Sequence, residues 1–313
     1  MDELPPHLKA APGVGGTPGA RRRRAGRALP FAVAFGVLAG LGVVAVVGLS
    51  LGIGRSGADE PERAPQAAPV APPEPVLKII FPEGFTRKEM AERIRAVNGI
   101  AIDTRGIAPS LDLKAYLKAT RRSKLPAEFA GDKKRRSLEG FLFPATYEFT
   151  RRTTSKELVE LQIEAFRKAW GAVGLKFAKS KKLTPYDVLI IASMIEGEVQ
   201  VPKERALVAA VIYNRLKAGL PLGIDATLRY GLDIPPTRAI RQSELEHKTP
   251  YNTRIHQGLP PTPIGNPGLA AMQAAAHPAK VKFLYFVRKK DCRSHFFTAG
   301  EKEFLARLAK PRC

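Results

Sequence analysis

The chain has little to offer redox, metal or nucleotide chemistry. Only two cysteines occur in 313 residues, Cys292 and Cys313. They lack the paired spacing of a zinc site, which disfavours one. A single disulfide between them remains open in an oxidising compartment. No G-x-G-x-x-G and no Walker P-loop is present, which disfavours nucleotide binding. No G-x-S-x-G elbow is present either. His247, His256, His277 and His295 follow no metal-site spacing, and histidines so placed are more often structural or solvated than ligands. Neither a metal nor a cofactor is therefore expected. Acidic residues are also short: 29 Asp and Glu face 51 Lys and Arg, for a net charge of +22. Such a charge attracts polyanions, whether nucleic acid, anionic lipid or an acidic wall polymer, and does not choose among them.

One stretch lacks charge altogether. From Ala28 to Gly54 no ionisable residue occurs, and a membrane-spanning helix needs about 20 apolar residues. Residues 1–27 before it are rich in Pro, Gly and Ala and close on Arg21–Arg24 and Arg27. After it come Arg55, then Asp59, Glu60 and Glu62. The positive-inside rule predicts a disordered basic tail in the cytoplasm, one span over 28–54, and the rest of the chain outside. A cleaved signal peptide is the alternative. The apolar run is long for one, and no A-x-A site is evident. Residues 55–75 are a Pro/Ala-rich linker, semi-rigid and extended. This topology also excludes nucleic acid as the partner of the basic soluble part.

Beyond the linker the pattern predicts a mixed, helix-rich α+β protein. Val76–Phe81 reads as a strand, Pro82-Glu83-Gly84 as a turn, and Thr86 opens a helix with Glu89 at the capping-box position and Gly99 as its stop. A helix over Asp112–Arg122 completes a small α/β module, placed at 76–135. The second domain, 136–313, begins with the aromatic segment Leu138–Phe149. Helices follow over Ser155–Trp170, from Thr184, and from Pro202 to Gly219. Residues 220–268 carry no clear periodicity, a length that marks a functional segment in a folded domain. A short helix over Gly268–His277, a hairpin of Val281–Val287 with His295–Thr298, and a helix over Glu301–Leu308 end the chain.

The helix from Thr184 draws most attention. Thr184 can cap it, Pro185 suits its first position, and Asp187 suits its positive end. Val188 to Ile195 is apolar on nearly every side, the mark of a buried helix. Glu196 stands at its end. A carboxyl group carried on a buried helix can be desolvated and hold a proton near neutral pH, as a general acid must. The plainer alternative is a solvated Glu196 just past the helix. Nearby loops offer Asn214, Asp225, Thr227, Tyr251, Asn252, Thr253 and Asn266, whose amides, hydroxyls and ring suit sugar hydroxyls. Acid-assisted glycosidic cleavage is compatible with this set.

Five segments carry a family resemblance: Leu138–Phe149 (LEGFLFPATYEF), Ala192–Val199 (ASMIEGEV), Glu204–Leu216 (ERALVAAVIYNRL), Pro250–Gly268 (PYNTRIHQGLPPTPIGNPG) and Ala274–Val287 (AAAHPAKVKFLYFV). In that order they resemble the YceG-like (MltG) endolytic murein transglycosylases of bacteria, from about Val76 to the C-terminus. The resemblance implies an anchored lyase of peptidoglycan, single-pass in the inner membrane. It would cut the β-1,4 bond between N-acetylmuramic acid and N-acetylglucosamine and leave 1,6-anhydromuramyl ends. Glu196 falls on the family's catalytic acid. Asn214, Asp225, Thr227, Tyr251, Asn252, Thr253, Asn266 and His295 become candidate substrate contacts. Residues 76–135 become a LysM-like module, and peptidoglycan synthases become candidate partners. Two departures stand out. Ile224-Asp225-Ala226-Thr227 replaces the family's Ser-Asp-Pro-Thr, and Arg293-Ser294-His295 replaces its Gly-Gly-His.

Overall fold

The computed structural model describes residues 73–121, 125–129 and 136–309. The basic tail, the span expected over 28–54 and the linker up to residue 72 lie outside the described residues. Among the described residues no helix is long and apolar enough to cross a membrane.

The first strand, β1 (Leu77–Ile80), finds its partner nearly seventy residues on. It pairs antiparallel with β2 (Thr146–Phe149), Leu77 opposite Phe149 and Ile80 opposite Thr146. Alternation decides which side is buried: Leu77, Ile79, Tyr147 and Phe149 face inward, while Lys78 and Glu148 pair on the outside at 3.0 Å. That exposed pair contributes at most about 1 kcal/mol, so the inward aromatics fix the register. The expected boundary at 135/136 thus falls between two strands of one sheet. Residues 73–313 form one compact unit.

Between these strands lie α1 (Arg87–Arg105) and α2 (Leu113–Arg121). A Thr86/Glu89 capping box starts α1 as expected, but the helix does not stop at Gly99. It runs on to Gly106, whose left-handed φ of 61° ends it. Gly99 costs about 1 kcal/mol of helix propensity. The capping box and the burial of Met90, Ala91, Ile94 and Ala101 on one face outweigh that cost. After β2 come α3 (Ser155–Trp170), capped by Thr154 and Glu157, and the short α4 (Lys176–Ser180). Phe129, Phe141, Phe166 and Trp170 build an aromatic cluster, with ring centroids 4.8–5.8 Å apart.

The central helix α5 (Pro185–Glu198) is closed at its start by a Thr184/Asp187 capping box. Every residue from Val188 to Ile195 is buried, so the helix needs neighbours on all sides. It has α9 (Leu269–Ala276), α6 (Arg205–Lys217) and α7 (Asp225–Leu232). The stretch 220–268, irregular in the sequence pattern, therefore holds a helix, α7, and a further single turn, α8 (Gln242–Leu245). Both lie among glycines and prolines, which mask a helical pattern. The chain ends on the hairpin β3 (Tyr285–Arg288) and β4 (His295–Thr298), with Tyr285 opposite Thr298, and on α10 (Glu301–Leu308). Cys292 in the hairpin turn is disulfide-bonded. The other cysteine, Cys313, lies outside the described residues.

Candidate active site

Helix α5 persists two residues beyond Glu196, so Glu196 sits in its last turn rather than in solvent. Its side chain is 8% exposed. One carboxylate oxygen, Oε2, accepts the Gly268 N–H at 3.0 Å. Gly268 is the N-cap residue of α9 and has no side chain to cap with. The Glu196 carboxyl takes that place at the positive end of α9. The other oxygen lies 4.0 Å from Nη2 of Arg205 on α6. The Gly268 bond and Arg205 favour the charged form; burial and the nearby Glu83 favour the neutral one. A helix end contributes roughly 0.3–1 kcal/mol, and here burial prevails. The Glu196 pKa is raised above the usual glutamate range, chiefly by desolvation.

Two residues on, Glu198 points elsewhere. Its Oε1 accepts the Ala226 N–H in the first turn of α7 at 3.2 Å. Burial first, then the charge of Asp225, pushes its pKa up to about 7 against Arg288 and Arg254. The last turn of α5 therefore feeds carboxyl groups to the starts of two helices, α9 and α7.

A third carboxyl, absent from the candidate residues of the sequence, organises the floor. Glu139 is 2% exposed. Its Oε1 accepts from the Arg87 N–H at 3.0 Å and from Asn266 Nδ2 at 3.1 Å, and its Oε2 accepts from the Tyr230 hydroxyl at 3.0 Å. Desolvation pushes its pKa up to about 7, against the opposing charge of Arg87. The signal for it was present: Glu139 is an acid inside a run of apolar and aromatic residues.

Linkage gives this a consequence. Between the ordinary value of 4.5 and about 7 the folded state holds a proton that the unfolded state releases. The stability this proton contributes is complete below 4.5 and is lost as pH rises to 7, about 3 kcal/mol in all. Glu139→Gln keeps an acceptor for Arg87 and does not titrate. Chemical denaturation from pH 4.5 to 8 should show a shallower fall in stability for Glu139→Gln than for the wild type, by about that amount. Parallel curves would refute the assignment.

The remaining expected site residues divide by exposure. Asp225 is exposed and pairs with Arg254. Tyr251 is half-buried, its hydroxyl 2.8 Å from that of Thr262 and its ring edge-on to Tyr230. Asn214 is half-buried, but Nδ2 is committed to the carbonyls of Val281 and Phe283 at 3.0 and 2.9 Å. The other five are buried, and their polar atoms serve the scaffold. Thr227 and Thr253 bond each other at 3.0 Å and hold the start of α7. Asn252 donates to the carbonyls of Leu245 and His247. His295 is locked to Glu204, Nδ1 to Oε2, at 2.8 Å. Asn266 accepts the Leu142 N–H and donates to Phe85 O and Glu139. In this structure these five side chains are buried and bonded within the protein.

The fold and the buried acid together define a helix-rich α+β protein whose central helix delivers a glutamic acid to the start of another helix. The YceG-like family model matches residues 66–310, and the chain belongs to that family. It is 37% identical over 154 residues to an endolytic murein transglycosylase of Bacillus subtilis, covering 49% of this chain and 42% of the relative. It is 30% identical over 254 residues to the endolytic murein transglycosylase of Streptococcus pneumoniae R6, covering 74% of this chain and 42% of the relative. The matches thus span 42% of the length of these curated relatives. The crystal structure of a yceG-like protein of Listeria monocytogenes aligns with a TM-score of 0.56 at 27% identity. That alignment covers 72% of this chain and 74% of the other.

Proposed function

We propose that the chain is an endolytic lytic transglycosylase of peptidoglycan, anchored by residues 28–54 in the inner membrane with its N-terminus in the cytoplasm. The observation that carries this reading is the Glu196 carboxyl: desolvated, held by Gly268 N–H, and placed in a family whose curated relatives bear that name. Protonated Glu196 donates to the glycosidic oxygen between N-acetylmuramic acid and N-acetylglucosamine. The C1–O bond breaks and C1 takes on oxocarbenium character. The C6 hydroxyl of the same sugar attacks C1, and its proton passes to the Glu196 carboxylate. The ring closes as the 1,6-anhydro sugar, the acid is regenerated and no water is consumed. One carboxyl serves as acid and then base, so no second nucleophile is required. The net positive charge suits a substrate and a membrane surface that are both acidic. On this reading residues 76–135 form a LysM-like, glycan-contacting portion. The enzyme terminates nascent strands beside peptidoglycan synthases.

Product mass spectrometry tests this. Purified protein and uncrosslinked glycan strands in isotope-labelled water should give anhydromuramyl ends without label. Labelled reducing-end muramic acid would make the protein a hydrolase and overturn the proposal.

A further inference from the structure

Gly268 raises a question that its backbone does not answer. Its φ of −76° and ψ of 169° are open to any residue. A side chain there would run into the side chain of Glu83. A Cβ there would stand 1.7 Å from Oε1 of Glu83. Glu83 lies in the Pro82–Gly84 turn between β1 and α1, far from Gly268 in sequence. The same turn is seated closely at two more points. A Cβ on Gly265 would stand 2.4 Å from the Gly84 carbonyl oxygen, and one on Gly84 would stand 3.6 Å from Cγ of Glu196. Reciprocal backbone bonds hold it: Gly84 N–H donates to Asn266 O at 2.8 Å, and Asn266 N–H to Phe85 O at 3.0 Å.

Two carboxylates therefore flank one glycine. Glu196 takes its N–H; Glu83 lies against its Cα. Glu83 is exposed, and among the described residues no cation or hydrogen-bond donor is paired with it. The backbone bonds to Asn266 hold the turn that carries Glu83 beside Gly268, so a carboxylate with no partner of its own leaves its charge acting on its neighbour. We propose that Glu83 is a positioning residue of the reaction, lending the Glu196 site a second negative charge from the far side of Gly268. This rests on the reading of Glu196 as the acid. The groups facing Glu196 are Glu83 from the turn, Arg205 from α6 and the Gly268 N–H from α9; Glu198, on its own helix, is turned to α7. Arg205 and Gly268 pull its proton off, and Glu83 opposes them. This charge reaches Glu196 partly through solvent, so salt should screen it.

Glu83→Gln keeps shape and removes the charge. Two readouts are needed in the full chain: the alkaline limb of kcat/KM against pH, and the titration of the Glu196 carboxyl by carbon-13 NMR. In Glu83→Gln both midpoints should move to lower pH, and activity on the alkaline side should fall several-fold. Added salt should move the wild-type midpoint the same way and the variant's far less. Glu83→Asp should restore part of the shift. Coincident NMR midpoints in wild type and Glu83→Gln would overturn the inference while leaving an inactive Glu196→Gln, and the functional reading, intact. An active Glu196→Gln would remove both.

Discussion

Glu196→Gln should lower turnover of glycan strands by roughly 10²- to 10⁴-fold, the range for loss of one positioned acid–base group. The upper end is the better expectation, since the same carboxyl gives a proton in one half of the reaction and takes one in the other. Glutamine retains the acceptor for the Gly268 N–H, so α9 keeps its cap and the fold should survive. Substrate binding should change little, and the loss should fall on kcat rather than KM. Thermal melting in parallel separates a dead enzyme from an unfolded one. An active, folded Glu196→Gln would transfer the role of acid elsewhere, and Glu198, with its pKa near 7, would be the first residue to test.

How far the site could be read from sequence depends on the range of each contact. The start and body of α5 were legible, because capping and an unbroken apolar run are local signals; its course past Glu196 was not. Helix α3 was legible too, since its amphipathic pattern over Ser155–Trp170 is also local. The course of α1 past Gly99 was not. A glycine reads as a stop, and only the packing of Ala101 against the core shows that the helix continues. Helix α7 was hidden because it lies in a stretch rich in Gly and Pro, whose composition reads as irregular. Its start is held instead by Glu198 from α5 and by the Thr227–Thr253 pair.

The polar residues expected to line a groove show the same limit more sharply. Composition marks Asn252, Thr253 and Asn266 as sugar-binding types. The same amides and hydroxyls are what a buried, irregular backbone needs to satisfy its own N–H and C=O groups. Sequence does not tell these uses apart; in this fold all three are buried and bonded to the backbone around them. Glu83 was missed for the opposite reason. It looks like an ordinary turn residue, and its meaning comes from Gly268, which is close to it only in three dimensions.

Asn266→Ala should destabilise the protein by about 3 kcal/mol, within roughly 2–5, and lower its melting temperature by about 6–12 °C. The side chain is buried and makes three well-formed bonds to two segments, the Phe85 turn and the Glu139–Leu142 stretch. Truncation leaves the buried Leu142 N–H without an acceptor and takes one donor from Glu139, while the Phe85 carbonyl keeps the Asn266 backbone N–H. Asn266→Asp separates the two halves of this role. It preserves size and the acceptor for Leu142, but loses both donors and sets a second carboxyl beside Glu139. Its cost should therefore grow between pH 5 and pH 8 as those groups ionise, whereas the added cost in Asn266→Ala should vary less with pH. Both variants should also lose activity beyond their loss of folded protein. Asn266 joins the turn that carries Glu83 to the segment that ends at Gly268, and Gly268 holds Glu196. Denaturation at the two pH values, with turnover measured well below each variant's melting temperature, checks the chain of contacts link by link. An Asn266→Asp variant as stable as wild type at pH 8 would show that Glu139 does not carry charge in the folded site.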